Sequence, residues 1–140
     1  TLERDLDHAM TAASVCSVSL DPLLFLVCIE RDARFHDAVV AAGVLTLNVL
    51  SADQRAVSQW LATRGRPLHD QLDRVPHRRG PATGTAVLEG VQSSIEARVT
   101  AVHEAGDHSI IVAEALAIEV PATPSSPLVH YRSGYTTVTH

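Results

Sequence analysis

Residues 8–28 read HAMTAASVCSVSLDPLLFLVC, and the reading of this stretch decides the fold of the whole chain. From Val15 the side chains alternate, with Cys16, Val18 and Leu20 on one side and Val15, Ser17 and Ser19 on the other. A period of two predicts a strand over Val15–Leu20 with one apolar face and one face of short polar groups. Asp21-Pro22 supplies a turn, because an aspartate accepts from nearby backbone N–H groups and proline fixes φ. Leu23 to Cys28 is apolar at every position, which predicts a second strand buried on both faces. A hydroxyl-bearing strand beside a buried one has two readings. It is a solvated outer face, or a shelf where small residues let an anionic, hydrogen-bonding ligand approach the backbone. The pattern by itself leaves both open.

Outward from this stretch the chain alternates between β and helical patterns. Thr1–Asp7 is short and charged and reads as a strand end or turn. Glu30-Arg31-Asp32 breaks the apolar run, and Asp32 is placed to cap a helix over Ala33–Ala42 that stops at Gly43. Val44–Leu50 is the next strand. Ser51 and Gln54 have capping-box spacing at the start of a second helix, in which Ala56, Val57, Trp60 and Leu61 share a face. Thr63–Gly84 carries five Arg, three Pro and three Gly with little apolar content, and predicts a long loop of the lid or binding kind. Its Arg74, His77, Arg78 and Arg79 are either a phosphate-attracting cluster or a solvated basic segment. The β pattern returns at Thr85–Leu88 and turns at Glu89-Gly90. Val91–His103 and Ser109–Val120 then form a hairpin joined through Glu104-Ala105-Gly106-Asp107. Pro121–Pro127 breaks pairing, and Leu128–Tyr131 with Tyr135–Thr139 makes a closing hairpin around Arg132-Ser133-Gly134. About seven strands with two short inserted helices predict a mainly β fold, an antiparallel barrel closed or nearly so.

Bulk properties narrow the function classes. With 140 residues, 46% hydrophobic and 19% charged, residues 1–140 form one globular domain. A net charge of -5 speaks against nucleic acid as a partner. The longest apolar run, Leu23–Ile29, is too short for a bilayer, so no membrane partner is expected, and no secretory signal precedes the domain. Cys16 and Cys28 lie in strand-like runs without metal spacing, which suits buried small side chains in a reducing, cytoplasmic compartment. Hydrolase chemistry is disfavoured because no G-x-S-x-G elbow is present. No metal site is expected, since His103 and His108 flank a turn without a third ligand. Neither a G-x-G-x-x-G fingerprint nor a Walker loop occurs.

The stretch from His8 to Leu24 resembles the signature of the flavin reductase-like, FMN-binding split-barrel family, whose run is close to HGMTxSSFxSVSLDPPLVLVCL. The likeness continues through Cys28-Ile29-Glu30-Arg31, Asn48-Val49-Leu50, Gly106-Asp107-His108 and the Pro127–Tyr135 segment. Ala9, Val15 and Leu23 depart from the usual Gly, Phe and Pro, and the family's strand before this stretch is expected to be missing here. The resemblance implies an antiparallel split β-barrel with two short inserted helices. It implies FMN or FAD as cofactor and NADH or NADPH as co-substrate, with hydride passing from nicotinamide C4 to flavin N5. By the same carry-over Thr11, Ala12, Ala13, Ser14 and Ser17 contact flavin, and Glu30, Arg31 and Arg34 lie near its phosphate. Phe35 stands where relatives often carry a hydroxyl. For Arg31 and Arg34 a surface pairing with Glu30 and Asp32 is the alternative. Gly106-Asp107-His108 matches a motif linked to nicotinamide binding. Turn chemistry alone explains Gly106 and Asp107, and His108 is the catalytic candidate. Tyr131, with Arg132, is a further cofactor-binding candidate that also reads as packing. The family also implies a homodimer that hands diffusible reduced flavin to a flavin-dependent monooxygenase. Two other readings stand beside it: a non-catalytic flavin-binding barrel (carrier, sensor or electron-transfer module), and an interaction barrel with no cofactor.

Overall fold

The computed structural model describes residues 1–123 and 125–138. Among the described residues eleven strands, two α-helices and a short 3-10 turn follow one another. A small hairpin, β1 (Leu2–Glu3) and β2 (Leu6–Asp7), comes first, its turn residues Arg4 and Asp5 both at positive φ. The diagnostic stretch then forms β3 (Val15–Leu20) and β4 (Leu23–Glu30), joined at Asp21-Pro22 by a cis peptide bond. Helix α1 (Arg34–Ala42) leads into β5 (Val44–Val49). The 3-10 turn Ala52–Gln54 opens α2 (Arg55–Ala62), and β6 (His77–Arg79) follows. Next come β7 (Ala86–Leu88), β8 (Ser93–Ala105) and β9 (His108–Glu119), and a closing hairpin of β10 (Val129–Tyr131) and β11 (Gly134–Thr136). Of the last predicted strand, Thr139 lies outside the described residues. No helix among them is long and apolar enough to cross a membrane.

Five strands make the main sheet, in the order β3-β4-β9-β8-β5 and antiparallel throughout. Among the described residues the sheet does not close on itself, which is the geometry of a split barrel rather than a continuous one. Phe25, Val27 and Ile29 of β4 alternate into the core beside Ile111 and Ala113 of β9, Ala97 of β8 and Val39 of α1. Burial on both faces of β4 is therefore not observed. Leu24, Leu26 and Cys28 point to the other face and are half-buried. The alternation predicted for β3 also fails, because a register shift between Ser17 and Ser19 interrupts it. β3 is exposed almost throughout, Leu20 at 90%, and Cys16 is an exposed thiol rather than a buried one.

Asp32 does not cap α1. The Ala33 N–H donates to the Glu30 carbonyl (3.1 Å), so a turn occupies Glu30–Ala33 and Ala33 itself is the extended residue before the helix. The other end behaves as expected: Gly43 sits at φ 70, and its N–H donates to the Val39 carbonyl at 2.9 Å. The Ser51/Gln54 capping box forms, with the Gln54 side chain accepting from the Ser51 N–H at 3.0 Å.

Thr63–Gly84 is not the plain loop its composition suggests. It contributes β6, which pairs with β7, and it delivers Leu72 and Val75 to a second core with Leu61 and Leu88. Nor do its basic candidates form a free cluster: of the four, only Arg74 has no hydrogen-bond or ion-pair partner among the described residues. Arg79 forks onto Asp7 (2.6 and 2.9 Å), Arg78 pairs with Glu119, and His77 Nδ1 lies 2.7 Å from the Val75 carbonyl. Asn48 of β5 pins β7 with both ends of its amide, donating to the Ala86 carbonyl (3.2 Å) and accepting from the Leu88 N–H (3.0 Å).

The Gly80–Gly84 turn is organised by one buried carboxylate. Glu96, 3% exposed, accepts from the Ala82 N–H (3.0 Å), the Thr83 N–H (2.7 Å) and the Thr83 hydroxyl (2.7 Å). A Cβ on Gly80 would overlap this carboxylate, and any shift that relieves the overlap breaks those bonds. Gly80→Ala is therefore expected to destabilise the protein by about 1–3 kcal/mol. Urea unfolding of the variant beside Gly134→Ala, the same change at an exposed glycine with room for a Cβ, checks this; equal midpoints for Gly80→Ala and the parent would contradict it.

Candidate functional site

The predicted shelf is a short segment fastened at both ends and open in the middle. At one end the Thr11 N–H donates to the Leu61 carbonyl (3.2 Å), and the Thr11 hydroxyl donates to the Ser58 carbonyl (2.7 Å). At the other, the Ser14 carbonyl accepts from the Cys28 N–H (3.0 Å). Between them Ala12, Ala13 and Ser14 are exposed, and among the described residues their N–H groups have no acceptor. Small side chains leave these three amides approachable, and consecutive free amides favour an anionic or carbonyl-bearing ligand. Thr11 is thus placed as an anchor of the shelf, its hydroxyl already committed. Ser17 is exposed and stands opposite Phe25 in the β3–β4 ladder.

Beneath the shelf lies a guanidinium that sequence reasoning missed. Arg66 donates to the carbonyls of Leu61 (2.6 Å), Thr63 (2.6 Å) and Trp60 (3.2 Å) at the end of α2, and to the Ala9 carbonyl (2.6 Å). It ties the helix end to the start of the shelf, and burial together with the neighbouring Arg34 charge lowers its pKa. Arg34 in turn donates to the Arg66 carbonyl and has no carboxylate partner among the described residues. The surface pairing with Glu30 and Asp32 does not form: Arg31 pairs with Glu104 (3.3 Å), and Glu30 with Arg64 (2.7 Å).

The Gly106-Asp107-His108 turn meets the Glu30–Arg34 loop directly. The Arg31 N–H donates to the Asp107 carbonyl at 2.9 Å, and Glu30 and His108 are opposed in the β4–β9 ladder. Gly106 takes the positive φ (65°) that the tight turn requires. His108 Nδ1 lies 2.7 Å from Asp107 Oδ1, and this hydrogen bond is the main cause that holds the Asp107 carboxyl below its ordinary range. A cavity of about 340 Å³ sits here, lined by Arg31, Asp32, His36, Asp37, Gly106 and Asp107. His36 and Asp37, from the first turn of α1, belong to this cavity without any motif marking them in the sequence.

Tyr131 is set apart from both places. It is 63% exposed on the closing hairpin, with the Arg132 guanidinium 5.5 Å over its ring. That hairpin is fastened to α2 through Tyr135, whose hydroxyl lies 3.1 Å from Ser58 Oγ. Ser58 therefore holds the shelf by its carbonyl and the closing hairpin by its hydroxyl. Its only trace in the sequence is a small polar residue beside the apolar face of α2. A second cavity, about 660 Å³, lies away from the shelf, between Val87–Val91 and Ile118–Pro121, with Arg78 of the predicted basic cluster and its partner Glu119 at its edge.

Comparison with known proteins places this geometry in context. The profile of a family described as "Flavin reductase like domain" matches residues 1–139. An FMN reductase (NADH), RutF, of Variovorax paradoxus is 36% identical over 125 residues, covering 89% of this chain and 68% of that protein. The structure of BorF, the flavin reductase component of a bacterial two-component tryptophan halogenase, superposes with a TM-score of 0.93 at 37% identity, covering 99% of this chain and 87% of that one. The NADH:FAD oxidoreductase SgcE6 of Streptomyces globisporus C-1027, in complex with NAD and FAD fragments, gives a TM-score of 0.86 at 27% identity, over 93% and 76% of the two chains.

His8, three residues before Thr11 and bonded through its backbone to Thr1, carries a pH signature. Its ring is buried, and neither nitrogen has a hydrogen-bond partner among the described residues; the Glu3 carboxylate is 3.8 Å away. Burial, the largest cause, lowers its pKa, outweighing the opposing pull of Glu3. The folded protein favours the neutral ring while the unfolded chain protonates freely. The resulting stability is present above the ordinary histidine range, near pH 6.5, and is lost as pH falls below it. Melting temperature should drop between pH 7.5 and pH 5.5, and drop less in His8→Leu; scanning calorimetry of both proteins would contradict this if the two drops were equal.

Proposed function

The chain belongs to the flavin reductase-like domain family, and on that footing we propose that it transfers a hydride from NADH or NADPH to FMN or FAD. The observation that carries the reading is the run of free amides at Ala12, Ala13 and Ser14. A reduced flavin gathers negative charge on its pyrimidine edge, and fixed N–H donors stabilise such charge where it develops. The shelf fits that group: its backbone is immobilised at Thr11 and Ser14, its side chains are small, and its donors are unspent. Bound there, the flavin supplies the hydride acceptor and the nicotinamide the donor.

The chain's own residues bind and orient. Thr11 holds the shelf from behind. Ser17, at the exposed start of β3, extends its polar surface. Arg34, lacking a carboxylate partner, supplies the charge for a flavin phosphate, while Arg31 and Glu30 fix the loop beneath it through Glu104 and Arg64. Gly106 and Asp107 wall the neighbouring cavity, and His108, braced by the Asp107 carboxylate, is the catalytic residue that meets the nicotinamide. Tyr131 offers an aromatic surface on the side of the closing hairpin. Residues 1–140 act as one domain. The half-buried apolar face of Leu24, Leu26, Cys28, Ile110 and Val112 is covered by a second copy of the chain. The physiological partner is a flavin-dependent monooxygenase that receives the reduced flavin, as BorF serves a halogenase in its two-component system.

Purified protein should oxidise NADH rapidly when FMN or FAD is added. Arg34→Ala should raise the KM for FMN about tenfold, the loss of one charge-assisted contact, and leave the KM for riboflavin, which lacks the phosphate, within twofold. His108→Ala should raise the KM for NADH or lower kcat. No flavin-dependent NADH consumption would sink the reading, and equal effects of Arg34→Ala on FMN and riboflavin would remove the phosphate role.

A further inference from the structure

His36 is the cavity residue that no motif marks, and its bonds run toward the hydride-transfer side of the site. Its side chain, 15% exposed, lies between two oxygens: Nδ1 is 3.1 Å from Asp37 Oδ1, and Nε2 is 2.9 Å from Ser109 Oγ. A carboxylate only accepts, so Nδ1 carries the proton, and in the neutral ring Nε2 accepts from the Ser109 hydroxyl. The order carboxylate, imidazole, hydroxyl is that of a nucleophilic relay, but Ser109 is 2% exposed and meets no substrate. The bond therefore has a mechanical use. Ser109 directly follows His108 and is opposed by Ile29 on β4 and Glu104 on β8, so it is the first fully buried residue after the turn. His36 itself cannot drift, because Ala33 and Phe35 just before it pack against the main core and Val39, one turn further along α1, is part of that core.

We propose that His36 is a positioning residue for nicotinamide binding: through Ser109 it fixes the first turn of α1 to the root of β9 and so sets where His108 stands. The proposal rests on the reading that His108 meets the nicotinamide. One side chain then links the loop beneath the flavin phosphate to the Gly106–His108 turn, which share the wall of one cavity. A twist of β9 at Ser109 would swing His108, the next residue, out of register with Glu30.

Steady-state kinetics with NADH and FMN varied in turn test this in His36→Leu, His36→Gln, Ser109→Ala, His108→Ala and the double variant His36→Leu/His108→Ala. His36→Leu and Ser109→Ala should each raise the KM for NADH about tenfold and leave the KM for FMN within twofold, as expected for one lost buried hydrogen bond. His36→Gln, which keeps a polar atom within reach of Ser109, should recover most of the loss. In the double variant the His36 change should add nothing to His108→Ala, because both act on the same contact. Equal rises in both KM values, or full additivity in the double variant, would overturn the proposal and make His36 a packing residue only. Unchanged KM for NADH in both His36→Leu and Ser109→Ala overturns it as well. If His108→Ala alone leaves the kinetics untouched, the reading of His108 fails first and the proposal with it. A rise with His108→Ala and none with His36→Leu leaves that reading standing and sinks only the role of His36.

Discussion

Two sets of hydrogen bonds, three residues apart, give this molecule its character: Thr11 onto the Ser58 and Leu61 carbonyls, and Cys28 onto the Ser14 carbonyl. A backbone held at both ends cannot collapse to satisfy the amides in between. Those amides stay turned outward at little further entropic expense, because the ordering was done during folding. Preorganised donors are what a site needs when charge develops on a ligand it must hold only briefly. The remaining architecture maintains the anchors. β4 sits between β3 and β9 so that Cys28 is immobile, and α2 is fastened at its start by the Ser51/Gln54 box and at its end by Arg66.

The same economy governs charge. A sequence with five arginines between Thr63 and Gly84 suggests a basic surface, yet the structure spends most of them internally. Arg66 satisfies helix-end carbonyls, Arg79 grips Asp7, and Arg78 grips Glu119. Arg64 and Arg31 are likewise matched to Glu30 and Glu104. Arg34, at the head of α1 beside the shelf, has no carboxylate partner among the described residues. An unmatched guanidinium beside free amides is a combination suited to a ligand with one polar ring and one anionic tail.

Much of the fold was legible because it rests on local rules. The Asp21-Pro22 turn, the strands on either side, the Gly43 stop, the Ser51/Gln54 box and the Gly106-Asp107 turn all follow from residue types at fixed offsets. What escaped depends on tertiary neighbours. The register shift at Ser17–Ser19 has no local mark, and it undoes a strict alternation. Asp32 looked like a cap, but the turn at Glu30–Ala33 moved the helix start beyond its reach. β6 and the buried Leu72 and Val75 were hidden in a segment whose composition is that of a loop. At the candidate site the sequence marks segments, while the commitments of individual atoms are visible only in three dimensions. Thr11 spends its hydroxyl on Ser58, Arg31 its charge on Glu104, and His36 in the cavity wall bonds a buried serine 73 residues further along the chain.

The account stands or falls on whether the open amides receive the flavin. Hydrogen–deuterium exchange, read amide by amide with and without saturating FMN, measures this directly. The account predicts that Ala12, Ala13 and Ser14, fast in the free protein, slow by at least about tenfold with FMN, while Thr11 and Cys28, already bonded, change little. Unaltered exchange at those three amides, with protection instead around Val87–Val91 and Ile118–Val120, would place the flavin in the other cavity and contradict it.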